Sequence, residues 1–228
     1  MRPRPRIPET CEVETETIGV FSRVAGWTGY GAAWRVRGIM GEPFCPGELV
    51  VDVGTGPGTI PLQLQKMFPK THFHGLDLGL PMLCEAQFHA KRMAMTLPLL
   101  CADGTALPFK DNSLDMIMSF FCMHHINDPG FFLQEVDRVL KKDGKLLILD
   151  FKRDIPAILE KGMNIFWRVG FIFSSGKNGL KESIDSAWTK GEIEASLQEY
   201  GLTRFLVHET RTELLVTAGI HKFHGNCQ

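Results

Sequence analysis

Asp52-Val53-Gly54-Thr55-Gly56-Pro57-Gly58 is the stretch that decides the fold of this 228-residue chain. The short β-branched run that leads into it, Glu48 to Val53, predicts a buried strand. Three glycines at alternate positions allow the backbone to turn sharply and to approach a ligand closely. A helix is predicted to open at residues 57–59. Because glycine-rich turns also occur without a ligand, this loop indicates a binding site only in combination with other residues.

The alternation of strand and helix continues downstream. Strands are predicted at 72–77, 98–101, 114–119 and 145–151, and helices at 80–92 and 129–140. Strands that alternate with helices predict an α/β fold, with a parallel sheet covered on both faces. Further helical stretches and two short strands follow, and the strands predict an antiparallel edge hairpin. We place these helices near 155–173 and 188–200, and the strands at 204–208 and 213–218.

The composition is that of an ordinary globular protein. Hydrophobic residues make up 44% of the chain, and the formal net charge is -1. This balance gives no electrostatic reason to expect a nucleic-acid partner, whose phosphates attract clustered Lys and Arg. The six cysteines form no CxxC pair, so we expect reduced thiols rather than a disulfide framework or a zinc site. No run reaches the length of about 20 apolar residues that a transmembrane helix needs.

A single domain is predicted over residues 17–220. Residues 1–16 are polar and proline-rich and are expected to form a flexible N-terminal tail, with a second tail at 221–228. The basic start, Met1 to Arg6, is not followed by the apolar region of a secretory signal. We therefore expect a cytoplasmic protein without a transmembrane segment.

Three acidic residues each end one of the first three predicted strands. Asp52 precedes the glycine loop, where a carboxylate would repel a pyrophosphate but would suit a cationic ligand. Asp77 closes the second strand, where it can accept both hydrogen bonds of a ribose diol. Asp103 closes the third and can accept from an adenine amine. Each acid alone is explained as a loop or capping residue, but three on one sheet edge indicate a ligand site.

Residues 48–151 resemble the class I S-adenosylmethionine-dependent methyltransferases. The resemblance is carried by the Asp-x-Gly-x-Gly-x-Gly loop, the ribose acid, Ala102-Asp103 with Leu107-Pro108-Phe109, and the segments 111–115 and 135–144. It implies a Rossmann-like seven-stranded sheet, mostly parallel with an antiparallel final hairpin, with helices on both faces and a small helical lid. It also implies S-adenosyl-L-methionine (SAM) as cofactor and S-adenosyl-L-homocysteine (SAH) as product. The cofactor-binding residues it implies are Asp52, Gly54, Thr55, Gly56, Pro57, Gly58, Asp77, Leu78, Met82, Asp103, Gly104 and Ser119.

Within this class the chain is most similar to the quinone-biosynthesis C-methyltransferases. The similarity lies in Val20 to Ala25, Trp34 and the stretch from Leu107 to Phe121. The segment Cys122 to Pro129 has the generic form of the class, so the acceptor stays open. The alternative is a catalytically silent domain that binds SAM or a protein partner for regulation, but the intact loop and the three acids favour the enzyme. A nicotinamide oxidoreductase is disfavoured by Asp52 and by the glycine spacing.

Two adjacent histidines follow the fourth strand, at the point where the strand order of this class reverses. His124 and His125 are candidate bases, since imidazole can take a proton from a phenol, enol or thiol near neutral pH. The alternative is that they only shape the pocket or cap the loop. Metal-assisted transfer would need a carboxylate where Ser119-Phe120-Phe121 stands, so we expect no metal.

Aromatic residues concentrate in two segments outside the cofactor pattern, 18–40 and 155–175. The first is predicted to form two short helices, and together the segments are expected to form a lid. Its substrate-facing residues are predicted to be Trp27, Tyr30, Trp34 and Trp167. Such a lid favours a small hydrophobic or aromatic acceptor. Plain core packing and peripheral membrane contact are the alternatives, and the oligomeric state is left open.

Overall fold

The computed structural model describes residues 4–8, 29, 31–40, 44–170 and 179–220, with backbone alone for 166–170 and 179. The strands are β1 (Leu49–Val53), β2 (His72–Asp77), β3 (Leu99–Cys101), β4 (Leu114–Phe120), β5 (Leu140–Phe151), β6 (Leu206–Glu209) and β7 (Glu213–Ala218). The helices are α1 (residues 31–40), α2 (Thr59–Met67), α3 (Leu80–Arg92), α4 (Pro129–Val139), α5 (Ala157–Gly170), α6 (Gly179–Ser186) and α7 (Lys190–Glu199). A 3₁₀ turn spans Met123–His125.

The seven strands form one sheet in the order β3-β2-β1-β4-β5-β7-β6. β1 pairs in parallel with β2 on one side and with β4 on the other. The chain thus adds β2 and β3 on one side of β1 and then returns to add β4 and the later strands on the other side. β7 is antiparallel to both β5 and β6, which confirms the expected final hairpin. The carboxyl ends of β1 and β4 therefore meet at the point where the strand order reverses, which is where open α/β sheets bind ligands.

Helices cover both faces of the sheet, as the alternating pattern predicts. On one face α4 and α7 contribute Phe132, Val136 and Ile193 to a core with β1, β4, β5 and β7. On the other face, α1, α2 and α3 contribute Val36, Leu62 and Ala90. The α4 helix begins where its sequence predicts, because Asp128 accepts a hydrogen bond from the Phe131 amide and proline occupies the first turn. Burial of strand residues from both sides explains why β4 and β5 read as nearly continuous apolar runs.

Two elements differ from the sequence-based expectation. Helix α6 was not predicted, because its polar sequence, Gly179 to Ser186, offers only Leu180 and Ile184 as buried apolar positions. These two side chains form a small third core with Ile155. β5 begins at Leu140 rather than 145, since residues 141–144 form an irregular stretch between two pairings with β4. In both places tertiary pairing decides the structure of a segment whose local pattern is weak.

The N-terminal residues 4–8 also differ from the loose tail that composition predicts. The Ile7 amide donates to the Asp185 carbonyl at 3.0 Å, and Arg6 donates to the Ser186 carbonyl at 2.7 Å. The prediction relied on apolar content, but this segment is held by arginine side chains and backbone hydrogen bonds.

Several predicted features lie outside the described residues. They include Trp27, Tyr30, the first predicted lid helix, the lid residues 171–175, and the tail at 221–228; for Trp167 only the backbone is described. Within the described ranges, no helix is long and apolar enough to cross a membrane.

Candidate functional site

The glycine loop forms a tight cradle between β1 and α2. Gly54, Gly56 and Gly58 have φ angles of 73°, 52° and 68°, in the left-handed region that favours glycine. The amides of Gly54 and Thr55 both donate to the Leu76 carbonyl, at 2.8 and 3.0 Å, which fixes the loop beside β2. An added Cβ atom at Gly54 would clash with the sulfur of Cys122, in the segment after β4. The loop therefore packs so closely against that segment that only glycine fits at position 54. The N-terminus of α2 points into this loop and favours an anionic group there.

Asp77 joins the glycine loop to the start of α3. Its Oδ2 accepts from the Gly56 amide and its Oδ1 from the Gly79 amide, both at 2.8 Å. Burial raises the pKa of Asp77, while these two hydrogen bonds oppose the shift. Each carboxylate oxygen has a second lone pair, so the hydrogen bonds within the chain leave acceptor capacity for a diol. The position of Asp77 therefore agrees with the predicted ribose role and adds a second role, in loop support.

The segment after β3 lies against the end of β1. A Cβ atom at Gly104 would come within 3.0 Å of Val53 Cγ1. Asp103 is exposed, and its Oδ1 accepts from the Thr105 amide and hydroxyl, both at 2.8 Å, which leaves Oδ2 outside this turn. Leu78 is exposed beside Asp77, whereas Met82 is buried beneath Gly79. The structure thus brings the predicted cofactor residues together at one edge.

Two buried polar atoms on β1 and β4 have no hydrogen-bond partner among the described residues. They are Asp52 Oδ1 and Ser119 Oγ, on the neighbouring strands β1 and β4. The other Asp52 oxygen accepts from the Thr55 hydroxyl at 2.8 Å. Burial raises the pKa of Asp52 to about 8, with the nearby Asp77 charge adding to the shift and the Thr55 hydrogen bond opposing it. An unpaired buried carboxyl is costly, and a cationic ligand group would relieve that cost.

The chain turns abruptly after β4. Phe121 has a φ of 51°, which is uncommon for a bulky residue, and its amide donates to the Leu149 carbonyl at 2.8 Å. Its ring packs against Phe151 with 4.7 Å between centroids. This conformation directs the following 3₁₀ turn back across the carboxyl end of β5. Backbone strain at the mouth of a candidate site is typical of functional positions.

His124 forms a buried pair with Asp150 near the end of β5. Its Nδ1 lies 2.7 Å from Asp150 Oδ1, and its amide donates to Asp150 Oδ2 at 2.8 Å. The side chains of His124 and Asp150 are only 3% and 1% exposed. Because the carboxylate accepts from Nδ1, the neutral imidazole carries its lone pair on Nε2. A histidine oriented in this way by a carboxylate is suited to act as a general base.

His125 is placed differently from its neighbour. Its ring stacks on His124 with 4.2 Å between centroids, and its buried Nδ1 has no hydrogen-bond partner among the described residues. Burial, with smaller contributions from His124 and Arg6, lowers the pKa of His125 to about 4, while Asp150 opposes the shift. His125 is therefore neutral at physiological pH and a weaker base than an ordinary histidine.

Sequence reasoning missed Asp150. It belongs to the apolar run that predicts β5, and it was not grouped with the three acids that end β1, β2 and β3. A signal was nevertheless present, because Asp150 stands one residue before the end of its strand, at the same carboxyl edge. Its partner on the turn after β4 becomes visible only once the pairing of β4 with β5 is known.

The first predicted lid segment reaches the glycine loop. Gly29 lies against the first turn of α2, where an added Cβ would come 2.6 Å from Thr59 Oγ1. Further along, α1 buries Ala33 and Val36 in the core, and Trp34 on its outer side is 48% exposed. The α1 helix therefore packs on the sheet, and the residue Gly29 that precedes it contacts the start of α2. The lid role of Trp34 remains a prediction.

Comparison with known proteins places this geometry in a family. A family model described as a methyltransferase domain matches residues 51–148. A ubiquinone/menaquinone biosynthesis C-methyltransferase from Ruegeria sp. (strain TM1040) is 37% identical over 187 residues, which are 79% of this chain and 74% of that protein. A demethylmenaquinone methyltransferase from Thermus thermophilus is 31% identical over 138 residues, which are 60% of this chain and 61% of that protein. The crystal structure of a SAM-dependent methyltransferase from Aquifex aeolicus aligns with a TM-score of 0.64 at 20% identity, covering 91% of this chain and 98% of that one.

The chain belongs to the class I SAM-dependent methyltransferases, an enzyme class that uses SAM as its cofactor. Within that class it lies near the ubiquinone/menaquinone biosynthesis C-methyltransferases. The family, fold and cofactor expected from the sequence are thereby confirmed.

Proposed function

We propose that this methyltransferase methylates a ring carbon of a small hydrophobic acceptor of the hydroquinone type, with His124 as the base and Asp150 as its orienting partner. The observation that carries the proposal is the buried His124–Asp150 pair at the carboxyl edge of the sheet. The names of the Ruegeria and Thermus relatives support a quinone-related acceptor.

The described residues fit SAM, which contains a carboxylate, an ammonium, a sulfonium, a ribose diol and an adenine. We assign the carboxylate to the N-terminus of α2 and the cationic groups to Asp52, with Ser119 as an additional hydrogen-bond partner. Asp77 holds the ribose, and Asp103 accepts from the adenine amine with Leu78 and Met82 beside the ring. The Asp52 Oδ1 and Ser119 Oγ atoms support this assignment, since neither has a hydrogen-bond partner among the described residues.

When bound, SAM supplies an electrophilic methyl group on a positively charged sulfur. His124 Nε2 takes the hydroxyl proton of the acceptor, which raises the electron density of the ring carbon beside that hydroxyl. The carbon–carbon bond would form as the carbon–sulfur bond breaks. The methylated carbon would then lose its proton to solvent, which restores the aromatic ring, and the imidazolium of His124 would return its proton to the ring oxygen. Asp150 stabilises the imidazolium that His124 becomes. His125, held neutral by burial, adds no positive charge that would oppose protonation of its neighbour.

The predicted lid would complete the site. We propose that the predicted lid residues Trp27, Tyr30, Trp34 and Trp167 cover the acceptor and exclude water. Support comes from Gly29, which lies against Thr59, the first residue of α2 after the glycine loop. The same aromatic cover suits an apolar acceptor.

A turnover assay tests the acceptor class. With SAM as methyl donor, we expect methylation of a demethylmenaquinol that carries a two-unit prenyl chain, which mass spectrometry would detect as a mass increase on the naphthalene ring. Catechol, RNA and a basic peptide serve as comparison acceptors and should stay unmodified. Transfer to RNA or to the peptide, with none to the quinol, would refute the proposed acceptor class.

Cofactor binding should release a proton from Asp52. Because its pKa in the free protein is about 8, the carboxyl is mostly protonated at pH 7, and a cationic ligand favours the carboxylate. Calorimetry in buffers of different ionisation enthalpy should therefore show release of up to about one proton per SAH at pH 7, falling towards zero near pH 9.5. Asp52→Asn should abolish the release, whereas Asp103→Asn should retain it. Equal observed heats in all buffers at pH 7 would show that Asp52 does not ionise on binding.

A further inference from the structure

The N-terminal residues 4–8, here called the strap, lie across the turn that carries the two histidines. Arg6 Nη2 donates to the carbonyls of His124 and Ile126, at 2.8 and 3.1 Å. Its Nε donates to the Ser186 carbonyl at 2.7 Å, at the end of α6. The guanidinium also stacks on the Trp188 ring, 4.1 Å from its centroid. One side chain thus links the turn after β4 to the junction between α6 and α7.

The strap is also held by the chain segment that follows β5. Arg153, 2% exposed, donates through Nε to the Arg4 carbonyl at 2.7 Å. It also donates to the Ala187 carbonyl and pairs with Glu192, which balances its charge. Arg153 stands three residues after Asp150. The strap therefore contacts both the turn that carries His124 and the chain segment that follows Asp150. The turn and the end of β5 are therefore connected through residues far away in sequence.

We propose that Arg6 is a positioning residue, which holds the 123–126 turn so that His124 stays on Asp150. This inference rests on the proposed function of His124, although its structural part can be tested without an acceptor. Arginine suits the position because its planar fork donates to several carbonyls at once and its face stacks on an indole. The Trp188 Nε1 donates to the Ile126 carbonyl at 3.2 Å, so the stack and the hydrogen bonds hold the same turn.

Arg6→Ala is expected to remove the hydrogen bonds that hold the 123–126 turn. With the demethylmenaquinol acceptor described above, here called the quinol probe, kcat should fall by at least about tenfold, the loss that follows when a general base is misplaced. The affinity for SAH should stay within about twofold, since Arg6 contacts none of the predicted cofactor residues. Arg6→Lys keeps the charge and part of the hydrogen bonding, so it should recover part of kcat. Arg4→Ala is the matched control, because its side chain is 45% exposed and its partners among the described residues, Glu160, Asp185 and the Arg153 carbonyl, lie outside the 123–126 turn.

The second measurement is a proton NMR titration of the His125 ring in the SAH complex, which requires no acceptor. In Arg6→Ala, loss of the Arg6 charge and of its hydrogen bonds to the turn should raise the titration midpoint of His125 from about 4 towards its ordinary value. The residues His124 and Asp150 are the same in both proteins. Arg4→Ala should titrate like the wild type.

The outcomes separate this inference from the proposed function. A tenfold or larger loss of kcat with unchanged SAH affinity and a raised His125 midpoint, confined to the Arg6 variants, supports it. Unchanged kcat and titration in Arg6→Ala would overturn it, as would a parallel loss of SAH affinity or an equal loss in Arg4→Ala. If the wild type does not methylate the quinol, the proposed acceptor fails, and the titrations alone decide the role of Arg6: a midpoint raised in Arg6→Ala but not in Arg4→Ala supports it, and an unchanged one overturns it.

Discussion

Asp150→Asn is expected to lower kcat for methyl transfer by about 10²- to 10⁴-fold, the range seen when a general base loses its orienting carboxylate. Asp150 Oδ1 accepts from His124 Nδ1, while Oδ2 accepts from the His124 amide. An amide has one acceptor atom and one donor atom, so it cannot serve both donors. Either the imidazole loses its orientation, or its lone pair moves to Nδ1 and faces away from the acceptor.

Single-turnover kinetics with saturating SAM and the quinol probe would measure this loss. Asp154→Asn is a matched control. The exposed Asp154 carboxylate forms a long ion pair with Lys152, at 3.7 Å, and contacts neither histidine. We expect this control to stay within about twofold of wild type. Replacing His125 with Gln should cost less than replacing His124 with Gln. Wild-type kcat in Asp150→Asn would exclude His124 as the base.

Asp77→Ala should weaken SAH binding by roughly 1.5 to 3 kcal/mol, the cost of losing a charged hydrogen-bond acceptor, which corresponds to about 10- to 150-fold in Kd. The ribose would lose its carboxylate, and the amides of Gly56 and Gly79 would lose the group that joins the glycine loop to α3. The second effect predicts that the loop becomes less ordered in the free protein.

Calorimetry with SAH measures the affinity, and hydrogen exchange at Gly56 measures the order of the loop. Asp143→Ala provides the same truncation at an exposed site in the irregular stretch at the start of β5, and it should leave both readouts unchanged. An Asp77→Ala protein with wild-type affinity would show that the ribose is bound elsewhere.

The cofactor-binding residues can be predicted from the sequence because their signals are local. Glycines between a strand and a helix, and an acid at the end of each early strand, are legible without any knowledge of the sheet order. Asp150 and Arg6 were missed for the opposite reason. Asp150 contacts His124, which lies on the turn that follows the neighbouring strand β4. Arg6 donates to the His124 carbonyl, 118 positions away in the chain. Such contacts depend on which segments the completed sheet brings together.

Helices α5 and α6 have a packing arrangement of their own. Ile155, Leu180 and Ile184 form a small core that is separate from the two cores of the sheet, and α6 contacts the turn that carries the histidines. Substitutions in separate cores tend to act independently on stability. Substitutions in the α5–α6 core are therefore expected to change stability largely independently of substitutions in the two cores that support the glycine loop.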